Sequence, residues 1–183
     1  MSQAIITRRG GSGSGKVFTP LYTGAMNLVY TNSDQTGGYA EFTSSGTLTW
    51  LTDPPDETDL FCVGGGGAGG VGYSRETSTN YRGWCGGGGG GYTTTVTAAA
   101  LEASTEVTIG AGGQAGQAGY QIDSIAPTAG GTTSIGSLCT AAGGNPASGL
   151  TAGTGGSGGG AGSAMNSSGG GAMNNGGSNG SAG

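Results

Sequence analysis

The chain has 183 residues and a mass of 17.3 kDa, and 47 of those residues are glycine, far above the roughly 7% of ordinary proteins. Leu, Ile, Val and Phe together number 23, too few for a conventional core along the whole length, and five prolines without a sustained Gly-X-Y register exclude a collagen helix. Histidine is absent, charged residues are 8%, and five basic against ten acidic residues give a net charge of -5. The commonest general base and metal ligand is therefore missing, and the acidic balance argues against a nucleic-acid surface.

The first residues, Met1 to Arg9, hold too short an apolar run for a signal-peptide core, and no later segment is apolar enough to span a membrane. Arg8-Arg9 matches the start of a twin-arginine export signal, but GGSGSG stands where the apolar stretch belongs. Residues 1–16 read as a basic arm ending in a Gly/Ser link, with three of the five positive charges at Arg8, Arg9 and Lys16. Through Ile5, Ile6, Arg8 and Arg9 this arm is expected to anchor the chain to a partner subunit, by strand addition and ionic contact. The plainer account is a disordered terminus.

Between Val17 and Val63 the pattern is β. AMNLVYT at 25–31, YAEFT at 39–43, TLTWL at 47–51 and DLFCV at 59–63 are rich in β-branched and aromatic residues, separated by Gly38, by Ser44-Ser45-Gly46 and by Asp-Pro-Pro-Asp at 53–56. Short strands with turn signals predict a small antiparallel meander, one face covered and one wet. Leu28, Tyr30, Phe42, Leu48, Trp50, Leu51, Leu60 and Phe61 are its expected core.

From Gly64 onward the composition changes, because 39 of the 47 glycines lie there. A strand pair at 92–97 and 105–109 interrupts the glycine, with a weakly signalled helix over 98–103 between the two. Beyond Asp123 no side chain carries a formal charge. That tail has two physical readings. One is a flexible Gly/Ser linker. The other is a bundle of polyproline-II-like segments, three residues per turn, whose glycines let backbones approach and hydrogen-bond sideways. Apolar residues at the edges of the glycine runs favour order, as does a glycine at every third position from Gly153 in 8 of 11 cases. The expected fold class is mainly β, a meander followed by a glycine-rich polyproline-II-like bundle with a strand pair, and little or no α-helix.

Several patterns imitate enzymes. GGSGSGK at 10–16 has P-loop spacing, but Val17 replaces the Mg²⁺-binding Ser/Thr and no helix start follows. LFCVGGGGAG at 60–69 reads strand then G-x-G-x-x-G, yet neither the helix nor the acid about 20 residues on is present. Asp53, Asp56, Glu57 and Asp59 lack EF-hand spacing and read as a solvated turn. Without histidine no Ser/His/Asp or Cys/His system exists, so no catalytic, cofactor or metal residue is assigned and no enzyme is expected. Three cysteines, Cys62, Cys85 and Cys139, cannot all pair within one chain. Reduced, buried thiols and a Cys62 to Cys85 bridge both remain open.

The succession DLFCVGGGGAGG, WCGGGGGGYTTTV, EVTIGAGGQAG, GGTTSIGSLCTAAGG and GTGGSGGGAGS resembles the glycine-rich domain of bacteriophage tail and appendage proteins over roughly residues 39–162. The resemblance implies a further strand in TSIGSL at 133–138, and a virion structural protein, a tail fibre, tip or capsid-decoration subunit. Such a protein would be made in the host cytoplasm and would assemble with other virion subunits as a homo-oligomer. It also implies that inserts between glycine runs face the host receptor, a surface glycan or protein. In the inserts at 71–85 and 117–129, Tyr73, Arg75, Tyr81, Arg82, Trp84 and Tyr120 supply aromatic and guanidinium groups suited to stacking on sugars or anchoring a protein contact. The plainer account has Tyr81, Trp84 and Tyr92 covering the flanks of the glycine layers. The competing class is a self-assembling cell-surface or extracellular filament in which the arm of one subunit inserts into the next; ice binding by a flat glycine face comes third.

Overall fold

The computed structural model describes residues 2–8, 16–55, 57–70, 88–116, 125–148 and 152–156. Ten strands form: β1 (Gln3–Arg8), β2 (Pro20–Tyr22), β3 (Met26–Tyr30), β4 (Gly38–Phe42), β5 (Gly46–Trp50), β6 (Thr58–Val63), β7 (Thr93–Ala99), β8 (Ser104–Thr108), β9 (Thr133–Ile135) and β10 (Cys139–Ala141). They make two antiparallel sheets, ordered β3-β4-β1-β6-β7 and β10-β9-β8-β5-β2, and no helix occurs among the described residues. The expected mainly β class is what forms.

Period-two alternation fixes the inner faces. In β1, Ala4, Ile6 and Arg8 turn inward; in β4, Gly38, Ala40 and Phe42; in β6, Thr58, Leu60 and Cys62. Leu48, Val107, Ile135, Cys139 and Ala141 meet them from the second sheet, and Phe18 and Leu101 enter from the connections. Each fully buried Phe, Leu, Ile or Val stabilises the fold by about 1.5–3 kcal/mol, so this small set holds the sandwich. Phe18 and Trp50 tilt together at 5.6 Å, and Tyr22 packs on Phe42 at 4.6 Å.

Four expectations change. The strands of 17–63 are not a meander, because β5 crosses to the second sheet and β1 lies between β4 and β6. The strands at 92–109 do not pair with each other: β7 adds to β6 and β8 to β5, so they complete the sheets begun before Gly64. Where a helix was signalled over 98–103, Ala98 takes φ 52° and β7 runs on to Ala99. Finally, Leu51 is 68% exposed and Phe61 turns outward, since Leu60 and Cys62 occupy the inward parity of β6.

Six glycine-rich segments continue from these strands: I (64–70) leaves β6, II (88–92) enters β7, III (110–116) leaves β8, IV (126–132) enters β9, V (142–147) leaves β10, and VI (152–156) follows. Their lateral bonds repeat every third residue. Gly64 and Gly67 donate to Tyr92 O and Gly89 O of segment II at 2.9 and 2.7 Å; Gly65 and Ala68 donate to Gly131 O and Thr128 O of segment IV at 2.9 and 3.1 Å. The carbonyls of Gly65 and Ala68 accept from Gly144 and Ala147 of segment V, and Gly66 O accepts from Gly113 of segment III. A neighbour addressed by residues three apart means three residues per turn, the polyproline-II geometry. Segment I is bonded to four others. For residues 125–148 and 152–156 the ordered reading holds over the linker; 157–183 lie outside the described residues.

Candidate attachment surfaces

Arg8 and Ile6 do not sit on a free arm. Ile6 is fully buried and Arg8 is 8% exposed in the middle of the first sheet, where β1 pairs with β4 through Ala4↔Phe42 to Arg8↔Gly38 and with β6 through Gln3↔Val63 to Thr7↔Asp59. The Arg8 guanidinium donates from Nη1 to Lys16 O at 2.6 Å. The arm expected over 1–16 is therefore corrected: its first half is a central strand, because alternating Ala4, Ile6 and Arg8 fit the gap between β4 and β6. Arg9 lies outside the described residues. Ile5 is the member of the anchoring set that faces outward.

The outer faces of the two sheets differ in chemistry. Across the first, one register row runs Asn27, Glu41, Ile5, Phe61 and Thr95; beside it lie Val29 opposite Tyr39 on one flank and Val63 opposite Gln3 on the other. Ile5, Phe61, Val63, Val29 and Tyr39 are all half-buried there. The second sheet turns Thr47, Thr49, Glu106, Thr108, Ser134 and Thr140 outward, with Leu21, opposite Thr49 and 44% exposed, among them. Ile5, Phe61 and Val63 thus form a small, half-buried apolar group among Asn27, Glu41, Thr95 and Gln3 on the first sheet, a candidate contact surface.

The bundle supplies the second surface. Segments I, III and V run away from the sheets and II and IV return, antiparallel to I through the pairs 64 with 92, 67 with 89, 65 with 131 and 68 with 128. Segment VI also returns, bonding Asn145 N to Thr154 O and Gly156 N to Gly90 O at 2.8 and 3.1 Å. Chain ends at 70 and 88, 116 and 125, and 148 and 152 thus all belong to the end of the bundle away from the sheets. Tyr73, Arg75, Tyr81, Arg82, Trp84 and Tyr120 fall between the first two of these pairs of ends and lie outside the described residues.

Asp59, one of the turn acids, accepts from Ala98 N at 3.3 Å and braces the bulge between β6 and β7. With Glu57, Thr58, Thr97 and Ala98 it lines an open cleft of about 390 Å³. Among the described residues no group of three or more His, Cys, Asp or Glu is arranged to hold a metal ion. Cys62 and Cys139 are free, buried thiols, which is the reduced reading; Cys85 lies outside the described residues. Cys62 donates to Cys139 O at 3.7 Å and Cys139 to Thr94 O at 3.5 Å. Burial is the main cause that raises both thiol pKa values, so neither is an activated nucleophile. No described helix is long and apolar enough to cross a membrane.

Sequence reasoning missed the apolar group on the outer face of the first sheet. The signal for it was adjacent apolar pairs, Ile5-Ile6 and Leu60-Phe61, which a two-faced strand must split between core and surface.

No curated protein and no solved structure matches the chain significantly. Comparison with known families matches residues 43–183 to a glycine-rich domain, a stretch that begins immediately after β4 and takes in six strands and the whole bundle. By that match the chain belongs to the glycine-rich domain family.

Proposed function

We propose that this chain is a non-enzymatic structural subunit of a bacteriophage virion, a tail-fibre, tip or capsid-decoration protein that presents its glycine bundle to the host surface. The observation that supports the reading is polarity: a sandwich whose first sheet carries the half-buried apolar group Ile5, Phe61 and Val63 on its outer face forms one end, and chain ends of the candidate receptor-contact connections gather at the other. Ile5, Phe61 and Val63 dock the base on a particle subunit. Tyr73, Arg75, Tyr81, Arg82, Trp84 and Tyr120 contact a host glycan or protein at the tip, by ring stacking and charge-assisted hydrogen bonds.

The bundle suits a spacer between base and tip. It is held by backbone bonds, it exposes little side-chain bulk, and its segments I to VI lack Asp, Glu, Lys and Arg. Alanine at Arg75, Arg82 and Trp84 together tests the reading: particles assemble with the altered subunit but lose adsorption to the host. Unchanged adsorption refutes the assignment of the tip. A self-assembling filament subunit is the second reading, favoured by a central strand tied to its own sheet through the Gly/Ser-rich residues 9–15.

A further inference from the structure

We infer that β1 is an exchangeable strand, and that the partner it recognises is a second copy of this chain. The inference deepens the structural reading above without depending on a virion. All of the ladder bonding of β1 goes to two strands that do not touch each other, β4 and β6. Without β1 the first sheet parts into β3-β4 and β6-β7, leaving a slot with facing ladders and a floor that includes β9.

The slot is selective. It takes a six-residue antiparallel strand whose inward positions are Ala, Ile and Arg in that order, with Ala4 and Ile6 fully buried and Arg8 reaching Lys16 O. Side chains on the opposite face, Gln3, Ile5 and Thr7, complete the outer row. A strand meeting both demands is carried by every copy of the chain.

The tie between β1 and the remaining strands is residues 9–15, Arg-Gly-Gly-Ser-Gly-Ser-Gly. In the closed form the Arg8 side chain reaches across to the residue that follows the tie, donating from Nη1 to Lys16 O at 2.6 Å. Seven residues reach about 25 Å when extended, more than the gap left by a side-chain contact between residues 8 and 16 requires. Exchange preserves every hydrogen bond and buried contact, which leaves concentration to decide between the forms. A short tether of this kind gives the chain's own strand an effective concentration on the order of mM. Dilute protein therefore closes on itself, whereas crowded or arrayed subunits pass β1 to the next copy, head to tail.

Cross-chain disulfide capture tests this on the full-length protein. Ile5→Cys and Glu41→Cys sit opposite each other in the β1–β4 register on the outer face, and both are made with Cys85→Ser. The two variants, one of them ¹⁵N-labelled, are unfolded in reductant, refolded together at protein concentrations from ~10 µM to ~1 mM and then oxidised. The chain carrying both cysteines, refolded at the lowest concentration, sets the yield of the in-chain link. The expected result is a disulfide between position 5 of one isotope form and position 41 of the other, rising with concentration, with matching oligomers of the unsubstituted chain in light scattering. An in-chain link in the double variant with no cross-chain link and only monomer at ~1 mM overturns the inference and leaves the virion reading standing.

Discussion

Gly65→Ala and Gly66→Ala, one residue apart in segment I, should have opposite effects on stability. A Cβ at Gly65 would lie 2.7 Å from the Ala111 carbonyl carbon, nearer still to its oxygen, and 3.1 Å from Gly131 N. Atoms cannot share that space, so segment III or IV must move away. The bonds at stake are Gly65 N to Gly131 O at 2.9 Å and Gly131 N to Ala111 O at 2.7 Å. Leaving a buried backbone group unpaired costs about 1–3 kcal/mol, and two such losses give ~2–6 kcal/mol, offset by ~0.4–1 kcal/mol from the stiffer unfolded chain. At Gly66 the nearest atom to a Cβ is Gly89 O at 3.7 Å, ordinary contact, and its φ is not in the left-handed region. Alanine there keeps only the unfolded-state gain of ~0.4–1 kcal/mol. For a chain of this size each kcal/mol shifts Tm by about 2–4 °C. Calorimetry should record a Tm fall of several degrees or more for Gly65→Ala and a small rise for Gly66→Ala. Equal shifts in both would show that segment I is not enclosed as described.

Thr133→Val tests how the bundle is joined to the sandwich. Thr133 is fully buried and its Oγ1 accepts from Gly110 N at 3.0 Å, so an isosteric valine strands a backbone N–H and should cost about 1–3 kcal/mol, read as a lower urea midpoint with unchanged m. The thiols give a pH signature. Burial raises Cys62 and Cys139 above the ordinary 9.0, so the unfolded chain ionises first, stability is full below pH 9 and falls as pH rises beyond it. Tm followed from pH 7 to 10.5 should decline above pH 9, and Cys62→Ala with Cys139→Ala should flatten that decline; an unaltered slope contradicts the assignment.

The sequence shows its strands more clearly than their partners. Alternation located β4 and β5 because Ala40 and Phe42, and Leu48 and Trp50, recur at period two, a local property. Pairing is not local. β1 joins residues thirty or more positions away on both sides, and beside Arg9 and a glycine run its six residues look like a tether. β7 and β8 look like a hairpin for the converse reason: they are close in sequence, yet Leu101 between them is buried as the chain crosses from one sheet to the other. Parity was ambiguous in Asp-Leu-Phe-Cys-Val, where either face could be apolar; the whole sheet decides, through Thr58, Leu60 and Cys62. β9 and β10, three residues each, carry too little pattern to detect by periodicity, and only the family resemblance pointed to TSIGSL.

The sandwich explains why the glycine segments are ordered at all. Fixing a residue costs about 1–2 kcal/mol of backbone entropy, with glycine at the upper end, while a hydrogen bond returns about 1 kcal/mol net. Free glycine segments therefore have no reason to assemble. Here five of the six are continuations of paired strands, which fix their position, direction and register. The β6–β7 ladder ends at Val63↔Thr93, and the next rung is Gly64 N to Tyr92 O. On the other sheet Val107↔Ile135 and Thr108↔Ser134 are followed by Gly110 N to Thr133 Oγ1 and Gly131 N to Ala111 O. Each of these five closes as an extension of an existing ladder, so the entropy of bringing the ends together is met within the hydrophobic core. Chain ends at the far side of the bundle are thereby positioned by contacts made among Ile6, Leu60, Val107 and Ile135.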